Sequence, residues 1–147
     1  MNDVKYILGR PLLGKILVLS RSTAKEFAWD KPWACISIAT YQDDFPKINK
    51  VQLVDLLQLS FKDYEMEVDN TFTSEQAKLI LNFADKHWAN IDLLMIHCYA
   101  GLSRSPGVAK ALSEIYQPEF FPHYDHLYLP KKIVYQTIRD VYVAQTK

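Results

Sequence analysis

The sequence predicts an α/β fold, a three-layer sandwich with a mainly parallel central sheet, formed by a single domain over residues 1–147. Three observations predict it. Short β-compatible apolar runs recur at residues 16–19, 34–39, 54–61 and 93–96. Helical patterns alternate with them, and strands that alternate with helices build parallel sheets covered on both faces. At 147 residues, with 49% hydrophobic and 13% aromatic side chains, the chain has enough apolar mass for one sizeable core and too little length for two domains.

Taken in order, Ile16-Leu17-Val18-Leu19 gives the first strand. Ser22-Thr23 then caps a short helix over residues 24–28. Residues 34–39 form the next strand, broken by the turn formers of residues 41–46, and residues 54–61 form a third. A polar loop follows, with Lys62, Asp63, Glu65, Glu67, Asp69 and Asn70. Thr73 as N-cap with Gln76 at N3 reads as a capping box that opens a helix to about Ala89. Its apolar face is Ala77, Ile80, Leu81, Ala84 and Trp88. After the strand at residues 93–96 comes a tight loop, then a helical pattern over residues 108–116 and a Pro- and aromatic-rich stretch over 118–124. Pro130 suits the first position of a last helix, with Ile133, Val134, Ile138, Val141 and Tyr142 as its buried stripe.

Bulk properties exclude several function classes. Lys plus Arg and Asp plus Glu both number 17, so no global field points to nucleic acid or to an anionic membrane surface. No apolar run approaches the length of a membrane span, and the N-terminus lacks signal-peptide character, so a soluble, cytoplasmic protein is expected. Two cysteines make no disulfide framework, and in a reducing compartment a histidine-flanked cysteine reads as reactive.

That cysteine opens the most informative stretch, His97-Cys98-Tyr99-Ala100-Gly101-Leu102-Ser103-Arg104-Ser105. A buried strand empties into a tight loop, which empties into the first turn of a helix, where free backbone N–H groups favour an anion. If the loop wraps an anion, the amides from Tyr99 through Ala100, Gly101, Leu102 and Ser103 to Arg104 point inward, and the Arg104 guanidinium adds a bidentate pair. Gly101 lets the chain turn without a side chain in the way. The positive setting favours the nucleophilic thiolate of Cys98, and Ser105 is placed to donate to that sulfur. His97 is better placed to hold the loop from behind than to act as a base.

The pattern His97-Cys98-x5-Arg104-Ser105, with Ala100-Gly101 inside it, resembles the signature of the cysteine-dependent protein tyrosine phosphatases, especially the compact dual-specificity-like members. The flanking strand and helix, the acidic loop upstream and the length also fit, so the resemblance covers most of the chain. It implies a phosphatase-like fold and a two-step hydrolysis of phosphomonoesters without metal or cofactor. Cys98 forms a cysteinyl-phosphate, Arg104 and the loop amides stabilise the phosphoryl oxygens, and water releases phosphate. In the family an aspartate some thirty-odd positions upstream acts as general acid. Asp63 precedes Cys98 by 35 positions (98 − 63) and Asp69 by 29 (98 − 69). Asp63 is favoured because it lies just past a strand end.

The expected substrate is phosphotyrosine, with phosphoserine or phosphothreonine beside it, in proteins. The alternatives are small phosphates such as nucleotides or inositol phosphates, and a phosphate-binding adaptor with little turnover. Tyr99 and Leu102 stand where phosphoinositide-directed relatives carry lysines, which disfavours a highly charged lipid. The arginine six residues after the cysteine disfavours a rhodanese-like sulfur transferase, and the late position of Cys98 disfavours the low-molecular-weight phosphatases. No nucleic-acid or membrane partner is expected, and the protein is expected to be a monomer. Cys35 reads as a core residue, with a reversible disulfide to Cys98 as the sharper alternative. His123, Asp125 and His126 read as a surface loop rather than a metal site. His87 reads as a helix-end residue facing the C-terminal dipole, and Lys131 and Lys132 as solvent-facing.

Overall fold

The computed structural model describes residues 4–64 and 71–147. Its strands are β1 (Tyr6–Ile7), β2 (Arg10–Leu13), β3 (Ile16–Ser20), β4 (Trp33–Ala39), β5 (Leu53–Ser60) and β6 (Leu93–Cys98). They form one sheet in the order β1-β2-β3-β6-β4-β5. The last four in that order are mutually parallel, and β2 alone runs against its neighbours β1 and β3, so the sheet is mainly parallel as expected. The C-terminal ends of the parallel strands open along one edge, where α/β sheets collect functional groups, and β6 emerges between β3 and β4.

The helices are α1 (Arg21–Ala24), α2 (Ser74–His87), α3 (Arg104–Tyr116), α4 (His123–Leu127) and α5 (Lys132–Gln145). Strand alternation sorts the core into two clusters. Val18, Ile36, Ile38, Leu94, Ile96 and Cys98 face a cluster completed by α2, α3 and α5. Leu17, Leu19, Cys35, Leu93 and Met95 face the other, which is covered by Ala24 of α1 together with Phe27 and Ile48 from the connecting segments. The layers are therefore unequal. The capping box at Thr73 and Gln76 forms as the sequence predicts.

Several boundaries differ from expectation. The hairpin β1–β2 was invisible to a search for long apolar runs because its strands have two and four residues. Leu8 and Gly9, at φ 51 and 80, make its two-residue turn, and Gly14, at φ 59, opens the next one into β3. Buried Gln117 pins that second turn, accepting from the Lys15 amide at 2.9 Å and donating to the Leu13 carbonyl at 2.9 Å. The cap of α1 is Ser20, not Ser22-Thr23, because Ser20 and Thr23 close a reciprocal capping box one turn earlier. Helix α3 starts at Arg104 rather than Val108. Helix α5 starts at Lys132, since extended Lys131 is its N-cap and Pro130 lies before it.

Candidate active site

The segment from Cys98 to Arg104 joins β6 to α3, and its peptide planes are oriented from outside. The Tyr99 carbonyl accepts from the Arg21 amide at 2.9 Å. The Ala100 and Gly101 carbonyls accept from Arg10 Nη2 at 3.0 Å and Nη1 at 2.7 Å. The Leu102 carbonyl accepts from the Leu129 amide at 3.0 Å, and the Ser103 carbonyl from the amides of Lys131 at 2.9 Å and Gly107 at 3.0 Å. In a planar trans peptide the C=O and the following N–H point opposite ways. Outward carbonyls from Tyr99 to Ser103 therefore turn the amides from Ala100 to Arg104 to the concave side. None of the amides from Ala100 to Ser103 has an acceptor among the described residues. Gly101 sits at φ +69, and a Cβ there would lie 2.6 Å from the Leu19 carbonyl oxygen, so the turn needs glycine for both conformation and space.

Cys98 is buried at the start of this loop. Ser105 Oγ stands 3.1 Å from its Sγ, and the Ser105 amide donates to the sulfur at 3.4 Å. His97 lies beneath, wholly buried. Its Nδ1 is 3.3 Å from the Cys98 carbonyl, which can only accept, so the proton sits on Nδ1 and the Ser37 hydroxyl donates to Nε2 at 2.5 Å. Burial, with the charges of Arg21 and Arg104 adding to it, pushes its pKa down from the usual range to about 4. His97 is thus a neutral prop behind the loop.

Arg104 is buried as well, and it is steered by the ends of β4 and β5. Its Nη1 donates to the Phe61 carbonyl at 2.8 Å and to Thr40 Oγ1 at 3.2 Å. Its Nε is buried with no partner among the described residues. A buried orphan N–H is costly, and an anion in the cradle would satisfy it.

Of the two acid candidates, Asp69 lies outside the described residues, as do Glu65, Glu67 and Asn70. Asp63 is two residues beyond the carbonyl that holds Arg104, and its Oδ1 is 3.0 Å from Lys131 Nζ. Lys131 also donates its amide to the Ser103 carbonyl, so it ties the Asp63 loop to the cysteine loop. The expectation of a solvent-facing Lys131 is corrected, because its side chain is only 13% exposed. Tyr99 and Leu102, 69% and 50% exposed, stand on the rim.

Other expectations resolve simply. Cys35 is buried in the cluster opposite Cys98, with its Sγ 3.9 Å from Met95 Sδ and its thiol pushed up by burial. Facing the other side of the sheet, it fits the core reading, and a bond to Cys98 would require the strands to come apart. His87 is not explained by the helix dipole alone, since its Nε2 is 2.8 Å from Asp55 Oδ2. His123, Asp125 and His126 lie on helix α4 rather than in a loop, Asp125 pairs with Lys110 at 2.9 Å, and no cluster of metal-ligating side chains occurs among the described residues. No helix of the described residues is long and apolar enough to cross a membrane.

Residues that sequence reasoning missed are Arg10, Ser37, Thr40 and Lys131. Each reaches the loop only through tertiary structure, with sequence separations of 91, 60, 64 and 28 (131 − 103) positions. The turn-forming Leu8-Gly9 and Gly14 were the available signal for the hairpin that carries Arg10.

The chain has the fold of the tyrosine and dual-specificity phosphatases. A human tyrosine phosphatase-like serine/threonine/tyrosine-interacting protein superposes with a TM-score of 0.67 at 16% identity, over 94% of this chain and 97% of that one. Human DUSP28 follows with 0.63 at 13% identity, over 90% and 94%. PTPMT1, solved in complex with PI(5)P, gives 0.59 at 16% identity, over 90% and 93%. No protein-family model matches the chain, and no curated protein sequence matches it.

Proposed function

We propose that this chain hydrolyses phosphomonoesters through a cysteinyl-phosphate intermediate, with phosphotyrosine in proteins as its main substrate and phosphoserine or phosphothreonine beside it. The observation that carries this reading is the cradle of inward amides around Cys98 Sγ, closed by the buried Nε of Arg104, which has no partner among the described residues. Amides and a guanidinium aimed at one point suit the oxygens of a phosphoryl group.

In the first step the Cys98 sulfur attacks phosphorus and the ester P–O bond breaks. Asp63 donates its proton to the departing oxygen, while Arg104 and the amides hold the other oxygens. In the second step water attacks phosphorus and the P–S bond breaks. Asp63 takes a proton from that water, and the Ser105 hydroxyl donates to the sulfur as it leaves. The 3.1 Å Ser105–Cys98 contact supports the second step, and Lys131, bonded to both Asp63 and the Ser103 carbonyl, keeps Asp63 beside the loop.

Exposed Tyr99 and Leu102 beside the loop suit contact with a phosphorylated side chain on a protein surface. Neither of these two rim side chains is charged, which disfavours a ligand such as the PI(5)P bound by PTPMT1. A thiol that must stay reduced fits a cytoplasmic setting, and a site complete within one chain fits a monomer. The test is a panel of phosphopeptides, nucleotides and inositol phosphates run on the parent and on Cys98→Ser. Cys98-dependent turnover, strongest on phosphotyrosine peptides, is expected. Binding of phosphopeptide without turnover would make the protein an adaptor, and preference for small phosphates would replace the protein substrate.

A further inference from the structure

We infer that Arg10, delivered from the antiparallel edge hairpin, is a positioning residue that sets the anion cradle by clamping two consecutive carbonyls of the Cys98 loop. The inference rests on the phosphate-cradle reading above and names a part of the machinery outside the signature stretch.

Arg10 begins β2, immediately after the Leu8-Gly9 turn. Its guanidinium reaches across the sheet edge and bonds the Gly101 carbonyl at 2.7 Å and the Ala100 carbonyl at 3.0 Å, with Val18 O at 3.5 Å. The Tyr128 ring lies against it, with the guanidinium carbon 5.8 Å from the ring centroid. The planar fork holds two adjacent carbonyls at once in a fixed geometry, which a single-point ammonium does not fix. By peptide planarity, pulling those carbonyls outward turns the amides of Gly101 and Leu102 inward. These planes flank Gly101, the residue with the least steric restraint on its own rotation. The other outward carbonyls are held by backbone amides, which belong to the fold, whereas these two depend on one side chain.

The positive charge adds a second effect. A guanidinium is always protonated, and behind the loop it favours the dianion in front of it. The hairpin is itself fastened, since Gln117 holds the turn into β3. Arg10 is therefore presented from a fixed element, as a positioning group requires.

The test uses Arg10→Met, which keeps the stem and removes the fork, and Arg10→Lys, which keeps the charge but offers a point donor. Orthovanadate affinity is measured by calorimetry, aryl phosphate turnover by steady-state kinetics, and the melting temperature beside them. One inward donor in such a site is worth about 10²–10³ in rate, and a freed plane loses part of that, so roughly 30-fold weaker vanadate binding is expected in Arg10→Met. The kcat should fall with it more than KM rises, because the amides grip the transition state more tightly than the ground state. Arg10→Lys should restore the melting temperature but less than half of the lost affinity on a logarithmic scale. Vanadate affinity within twofold of the parent in either variant overturns the inference, whatever the melting temperature does. If the parent binds vanadate in an Arg10-dependent manner yet turns over no phosphoester, the clamp stands and the phosphatase reading falls.

Discussion

His97 supplies a prediction whose size follows from its surroundings. In the unfolded chain its imidazole has the ordinary pKa of 6.5, and in the folded protein burial beside Ser37 and Cys98 brings that value to about 4. The folded state therefore resists the proton that the unfolded state accepts. Its contribution is fully present above pH 6.5 and is lost progressively as pH falls toward 4. Linkage over that interval amounts to about 3 kcal/mol, most of which is gone by about pH 4.5. For a domain of this size that is a fall of roughly 5–10 °C in melting temperature. The assay is thermal unfolding at about pH 7.5 and about pH 4.5, for the parent and for His97→Asn. Comparing the pH effect within each protein cancels the packing loss of the substitution. The parent should lose about 2–3 kcal/mol more than the variant on acidification. An equal acid loss in both would refute the neutral prop, and with it the assignment of Nδ1 as donor to the Cys98 carbonyl.

Three further outcomes are expected. Asp63→Asn should cut turnover about 100-fold on phosphotyrosine peptides and only a few-fold on an activated aryl phosphate, because general acid catalysis matters most for a poor leaving group; equal small losses on both would move the role elsewhere. Gly101→Ala should destabilise the fold by at least about 1 kcal/mol from its left-handed φ alone and should weaken vanadate binding further, since the new Cβ collides with the Leu19 backbone; melting curves with and without vanadate measure both. Ser105→Ala removes the hydroxyl 3.1 Å from the sulfur and should slow breakdown of the intermediate about tenfold, seen as a burst of released phenol before a slower steady rate; a uniform slowing without a burst would assign that hydroxyl to the first step or to packing.

The parts of the fold that were legible in the sequence are those written in local periodicity. The parallel strands and α2 announce themselves by apolar runs and by the Thr73–Gln76 box. The cysteine loop is legible for a related reason, because residues 98–104 carry its cysteine, its turn glycine and its arginine within one short segment. The hairpin β1–β2 was not legible, since its strands are too short for a period to emerge. Arg10 and Lys131 were illegible because a lone basic residue in sequence reads as surface. Their partners are the Ala100, Gly101 and Ser103 carbonyls and Asp63, which the fold alone brings near. His87 looked complete at its helix end, and its bond to Asp55 arises from the packing of α2 on β5.

The central claim is that Cys98 becomes covalently bonded to phosphorus in the course of turnover. Acid quenching of the protein during hydrolysis of an aryl phosphate, followed by peptide mass analysis, tests it directly. The account predicts a phosphoryl adduct on the peptide that carries Cys98, larger in Ser105→Ala and missing in Cys98→Ser together with all turnover. Hydrolysis that survives Cys98→Ser, or that proceeds in the parent and in Ser105→Ala with no adduct on that peptide, would contradict it.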